Sequence, residues 1–159
     1  MNILHPPFVH FVVALPVIAL FSQFTFFITK DKAYSKAAFR IVGFAMLASF
    51  LAIISGIEDA QKIMANQNII QEGVSSLNSH KIFGFIVVAT LIATSIVKWL
   101  AISKDSLLYE NVSLVLIVVL LIVSLYQGRS GGILVYKYSA GIDKSVAIQR
   151  VDEQKISKY

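Results

Sequence analysis

Cysteine is absent from the chain, which removes disulfides, thiolate-held iron–sulfur clusters and haem attached covalently through a CxxCH run. Any metal or cofactor must be held by histidine, carboxylate or backbone. Charge is scarce too: Asp, Glu, Lys and Arg make up 14% of the residues, 57% are hydrophobic, and the mean hydropathy is +0.74. That mix lies far outside a soluble globular domain and points to a membrane protein. No charged residue sits near the middle of any long apolar run, which counts against a transporter. G-x-S-x-G, P-loop, HExxH and Rossmann glycine patterns are all missing, so nothing signals substrate turnover. The run "GRSGG" follows an apolar helix rather than a strand and is expected to stop that helix, not to cradle phosphate.

What the chain does have is four apolar stretches, residues 8–28, 38–57, 82–102 and 107–126. At about 1.5 Å per residue each can cross a hydrocarbon core roughly 30 Å thick, the last only if its flanks are helical. The expected fold is therefore an all-α bundle of four transmembrane helices. Pro16, near the middle of the first, is tolerated in a membrane helix. No Lys or Arg precedes that first stretch and its apolar run is too long for a signal-peptide core, so it is expected to stay attached. Arg40, Lys98 and Glu110 lie near the stretch ends that the first and third loops join. The two basic side chains can snorkel, and Glu110 falls in a first turn, where the helix dipole favours a carboxylate.

With four spans, both termini and the second loop share one membrane face, so His5, His10 and His80 do as well. Loop one carries Lys30, Lys32, Lys36 and Arg40, and loop three carries Lys98 and Lys104, whereas loop two has only Lys62 and Lys81. The positive-inside rule then makes loops one and three cytoplasmic in a cell inner membrane and the histidine face periplasmic, although Arg129, Lys137 and Lys144 oppose it. The net charge of +5 is accounted for by these topology signals, with no nucleic-acid partner implied. Ala48, Ala52 and Gly56 form a small-residue ladder suited to close helix packing. Beyond the fourth stretch, Gly131 and Gly132 are expected to break the helix, and "ILVYKY" followed by "SAG" reads as a short β-hairpin-like cap over residues 128–142. Residues 143–159 form a charged tail.

The histidines carry the candidate chemistry. With Pro7 at the first helical position, His10 lies about one turn into helix one, and His80 begins helix three, which runs in the same direction. Their first turns share a depth, so His10 and His80 can face each other. The positive helix ends disfavour imidazolium and keep the rings in the neutral, ligand form. Two neutral imidazoles suit a six-coordinate haem b between helices. Gly84 and Ala14, one turn below each ring, leave room for a flat macrocycle, while Arg129, Tyr126 and Tyr136 lie toward the propionate edge. Asp59 can accept from a ligating histidine or pair with Arg129, or with Glu58 simply start an acidic, wet loop. His5 is an alternative axial ligand or the third ligand of a copper or zinc site. The alternative without a ligand is that all three are ordinary interface histidines that anchor helix ends and hydrogen-bond one another.

At "HPPFVHF", "SGIEDA", "SHK" and "GGILVYKYSAGI" the chain resembles the bacterial four-helix membrane proteins catalogued as domain of unknown function 2231. The likeness runs from about Asn2 to Ile142, and His5, His10, Asp59, His80, Gly131, Gly132 and Tyr136 match its signature positions. The resemblance implies the four-helix fold. From the residues themselves the expected function is a cytochrome b-like electron-transfer protein, with a redox partner protein or quinone. The alternative is a non-enzymatic accessory or assembly protein, using a copper or zinc site or a partner surface. A homo-oligomer is compatible with either.

Overall fold

In a computed structural model that describes residues 5–66, 69–142 and 145–146, the chain forms four long helices. They are α1 (His5–Thr29), α2 (Lys32–Ala65), α3 (Gly73–Ser103) and α4 (Leu107–Tyr136). Each is long and apolar enough to cross a membrane. Two of the connections are tight. Lys30, in the left-handed region at φ 59°, ends α1, and Asp31 starts α2 as its N-cap, its carboxylate accepting from the Ala33 N–H at 2.8 Å. Between α3 and α4, Asp105 at φ 48° makes the corresponding turn. Such short links force neighbouring helices to run antiparallel.

The helices close into a ring: α1 packs on α2 and α4, and α3 packs on the same two, which leaves α1 and α3 diagonal. The densest contact is α1 on α2. The small-residue ladder explains it, because Ala48 and Ala52 are buried there along with Ala38 and Ala45. At mid-height the core is apolar, built from Val12, Ala19, Val42, Val87, Leu91, Ile117 and Leu120. Only about a third of each apolar window is buried. Phe21, Phe44, Leu47, Ile82, Val115 and Ile122 point outward, which is stable only against lipid. Buried hydroxyls in this layer donate to carbonyls of their own helix, Ser49 to Met46, Thr94 to Thr90 and Ser113 to Glu110, so the oily middle is not disturbed.

The helices outrun the apolar stretches. His5, the first described residue, is level with Ser55 of α2, and α2 then climbs to Ala65, about 15 Å further. Above α1, the ends of α2, α3 and α4 share a second small core of Ala60, Ile63, Leu77, Leu134 and Ala140.

The expected hairpin-like cap is not there. Among the described residues there is no strand; α4 continues through Gly131 and Gly132 to Tyr136, and left-handed Ser139 and Gly141 then turn the chain. Ala140 N–H donates to the Leu134 carbonyl at 2.9 Å, and Ile70 N–H donates to the Tyr138 carbonyl at 3.3 Å, tying the turn to the second connection. Two helical glycines cost about 1 kcal/mol each. Burial of Leu134 and the fit of His80 against Gly131 outweigh that cost. Most of the charged tail, residues 143–144 and 147–159, lies outside the described residues.

Candidate functional site at the histidine end

The three histidines do sit at one end of the bundle, but the expected facing pair is rearranged. His10 is exposed, and its Nδ1 lies 2.6 Å from the Pro6 carbonyl on its own helix. His80 is not at the start of its helix, because α3 begins at Gly73, about two turns earlier. The positive end of the α3 dipole therefore does not act on His80, since that effect fades within the first turn. Half-buried, His80 turns toward α4, with Nδ1 3.2 Å from Ser130 Oγ and Nε2 3.2 Å from Gln127 Nε2. Within electrostatic reach of it is His5, not the expected His10. His5 lies against α2, with Nδ1 3.0 Å from the Ala52 carbonyl and 3.1 Å from Ser55 Oγ.

Glycines make these seats. A Cβ on Gly56 would come within 2.7 Å of His5 Cε1, and one on Gly131 within 3.2 Å of His80 Cε1. Each imidazole thus rests on bare helix backbone, an approach that a side chain would block. Gly84 faces Gln127, with 3.4 Å from its ideal Cβ position to Nε2.

The hydrogen bonds indicate which tautomer a neutral ring adopts. A carbonyl oxygen only accepts, so Nδ1 of His5 and of His10 carries a hydrogen, and in the neutral ring Nε2 carries the lone pair. For His80, the Gln127 amide nitrogen donates to Nε2 and the ring donates from Nδ1 to Ser130. All three rings thus present Nε2 as the acceptor. This is the arrangement in which a histidine ligates a metal, with Nδ1–H anchored on an oxygen. The Gln127 Oε1 and Ser124 Oγ atoms beside this cluster are buried without a hydrogen-bond partner.

The remaining expected site residues are more dispersed. Asp59 is buried and engaged on α2, one turn above Ser55. Ala14 is exposed, so its small side chain faces away from the bundle interior. Arg129 is exposed, Tyr126 packs on Phe83 with ring centroids 4.6 Å apart, and Tyr136 is 91% exposed. Among the described residues no three His, Asp or Glu side chains gather to hold a metal ion.

A second polar cluster, at the opposite end, was not anticipated. Lys98, expected to snorkel, is instead fully buried, its Nζ 2.5 Å from Glu110 Oε2 and 2.8 Å from Ser35 Oγ. Gln23 donates to the same Glu110 oxygen at 2.7 Å, and Ser35 donates to the other at 2.5 Å. One side chain from each helix meets here. The available signal was the pair of opposite charges set at matching depth on either side of the third loop.

The model of a family described as predicted membrane proteins matches residues 2–144. The chain belongs to the DUF2231 family. Its match covers all four helices and the closing turn, so the histidine seats, Gly56 and Gly131 all lie within the DUF2231 unit. No curated protein and no solved structure matches this DUF2231 chain.

Proposed function

We propose that this DUF2231 protein is a haem b-binding electron-transfer protein of the cell membrane, in which His5 and His80 would hold the iron. The observation that carries this reading is the shared anchoring of two imidazoles on different helices at one end of the bundle, each with Nδ1 on an oxygen, which in the neutral ring leaves Nε2 as the lone pair. The donor set fits a metal that brings its own equatorial ligands. A porphyrin iron needs two protein ligands, whereas bare copper or zinc needs three or four. With no third ligating group beside the pair among the described residues, the copper or zinc alternative loses support.

When bound, haem supplies reversible one-electron chemistry. The chain's own residues would hold and orient it. Gly56 and Gly131 let the two rings seat deeply, Ala52 and Ser130 fix ring rotation, and the Gln127 amide must swing from His80 Nε2, giving up its two contacts with that residue. The buried apolar layer around Leu91, Ile117 and Leu120 separates this end from the lysine-rich one, so electron exchange occurs on the histidine face only. By the lysine bias of loops one and three, that face is periplasmic, and its redox partner or a quinone approaches from there.

The test is a dithionite-reduced minus oxidised spectrum of protein made with haem precursor supplied. A sharp α band at near-stoichiometric haem, lost in His5→Ala and His80→Ala and kept in His10→Ala, is the expected result; a flat spectrum removes the cytochrome reading. One observation favours the accessory-protein reading in that event. Tyr126 and Tyr136, 50% and 91% exposed, put aromatic surface on the same end, as partner-binding faces do.

A further inference from the structure

The lysine-rich end holds a feature that the electron-transfer reading leaves unused, a half-open cavity of about 400 Å³ where α1 and α3 end and α2 and α4 begin. That volume lies within the range of small-molecule sites, about 300–1,000 Å³. Its floor is Ser35 and Glu110, and Lys32, Lys36, Asp105 and Ser106 stand around its mouth.

A count of donors and acceptors indicates what it can hold. Most acceptors are taken: Glu110 Oε1 by Ser35, Glu110 Oε2 by Gln23 and Lys98, Ser35 Oγ by Lys98, and Asp105 Oδ2 by Lys32 at 2.6 Å. Beside the other Asp105 oxygen, what remains is mostly hydrogens. Lys36 makes no hydrogen bond or ion pair among the described residues, and Lys32 uses one of three. The first N–H groups of α4 precede its first intrahelical bond, Glu110 N–H to the Ser106 carbonyl at 3.1 Å, and the Ser106 side chain caps none of them.

From this surplus of donors in a roomy cavity we infer that the site binds a phosphate group, carried either by the headgroup of an anionic phospholipid or by free phosphate. A phosphate brings acceptor oxygens and negative charge to the lysines and to the positive end of α4. The level is right for a headgroup as well. Lys30 lies 5.5 Å from the centre of the Phe27 ring and Lys104 5.7 Å from that of the amphipathic Tyr109, which sets cations beside aromatic rings around this end as at a membrane interface.

The test is thermal unfolding of delipidated full-length protein in neutral detergent. Phosphatidylglycerol, phosphatidylcholine or inorganic phosphate is added to the parent, to Lys36→Gln and to Lys62→Gln at the other end. Phosphatidylglycerol should raise the midpoint of the parent and of Lys62→Gln. In Lys36→Gln its apparent affinity should fall about tenfold, the loss of one charge-assisted contact. A rise with phosphatidylglycerol alone assigns the headgroup; an equal rise with inorganic phosphate, also sensitive to Lys36, assigns the free anion. A rise that phosphatidylcholine matches, or that Lys36→Gln leaves unchanged, or no rise in any variant, overturns the site. Because Lys36 is exposed and lies at the end of the bundle away from the histidines, the result is independent of whether haem binds.

Discussion

The two polar ends of this bundle face the same difficulty, buried polar groups in a low-dielectric setting, and resolve it in opposite ways. At the lysine-rich end both carboxylate oxygens of Glu110 are saturated by donors from the other three helices, although Gln23 Oε1 beside them is buried without a hydrogen-bond partner. At the histidine end the buried Gln127 Oε1 and Ser124 Oγ have no hydrogen-bond partner, and the imidazoles there bond through Nδ1. An unpaired buried group is costly at either end. Saturation of Glu110 makes the Lys98–Glu110 cluster a clamp across four helices, whereas the histidine end keeps the open bonding capacity on which the proposed haem site rests.

The comparison breaks most visibly if the clamp is cut. Lys98→Met leaves Glu110 buried without its cation and should cost about 3–5 kcal/mol, seen as a large drop in the unfolding midpoint in detergent. Adding Glu110→Leu to that variant should restore most of the loss, because an apolar pair of similar volume removes the uncompensated charge. A Lys98→Met protein as stable as the parent would end the description of this cluster as a clamp.

At the histidine end, Gly56→Ala should cost about 1–3 kcal/mol, since its Cβ would sit 2.7 Å from His5 Cε1 and expel the ring from Ala52 and Ser55. Gly131→Ala, at 3.2 Å from His80, should be milder, and the reverse order in midpoints would contradict the seating described for the two rings. In the second core, Gly73→Ala would meet Tyr138 Cβ at 2.7 Å. The closing turn should loosen at a cost of about 1 kcal/mol, read as faster hydrogen exchange at the Ile70 amide, which the Tyr138 carbonyl holds. The smallest effect belongs to Lys32→Ala. Its bond to Asp105 is short, at 2.6 Å, but the two side chains are 65% and 72% exposed, so stability should change by less than about 0.5 kcal/mol. Set beside Lys98→Met, it separates the contribution of burial from that of ion-pair distance.

The four spans, their antiparallel order and the shared face of the three histidines were legible because hydropathy and parity are properties of the chain alone. The partners of the histidines were not. His80 lies well inside α3 because the helix begins at Gly73, in a segment whose polar residues give no span signal. The sequence "ILVYKY" reads as strand until Leu134 is given Ala60, Ile63 and Leu77 to pack against. Lys98 reads as a snorkelling cation until α4 brings Glu110 beside it.

Sequence by itself determined that this chain lives in a bilayer, crosses it four times and carries its imidazoles at one end, since water and lipid sort segments by composition. Tertiary structure alone decided that His5 seats against α2 and His80 against α4 while His10 stays exposed, that Gly56 and Gly131 are seats rather than helix breaks, and that one lysine is a clamp while another is free. Each of those outcomes depends on which side chain a neighbouring helix presents at a given height, and that is set when the helices pack.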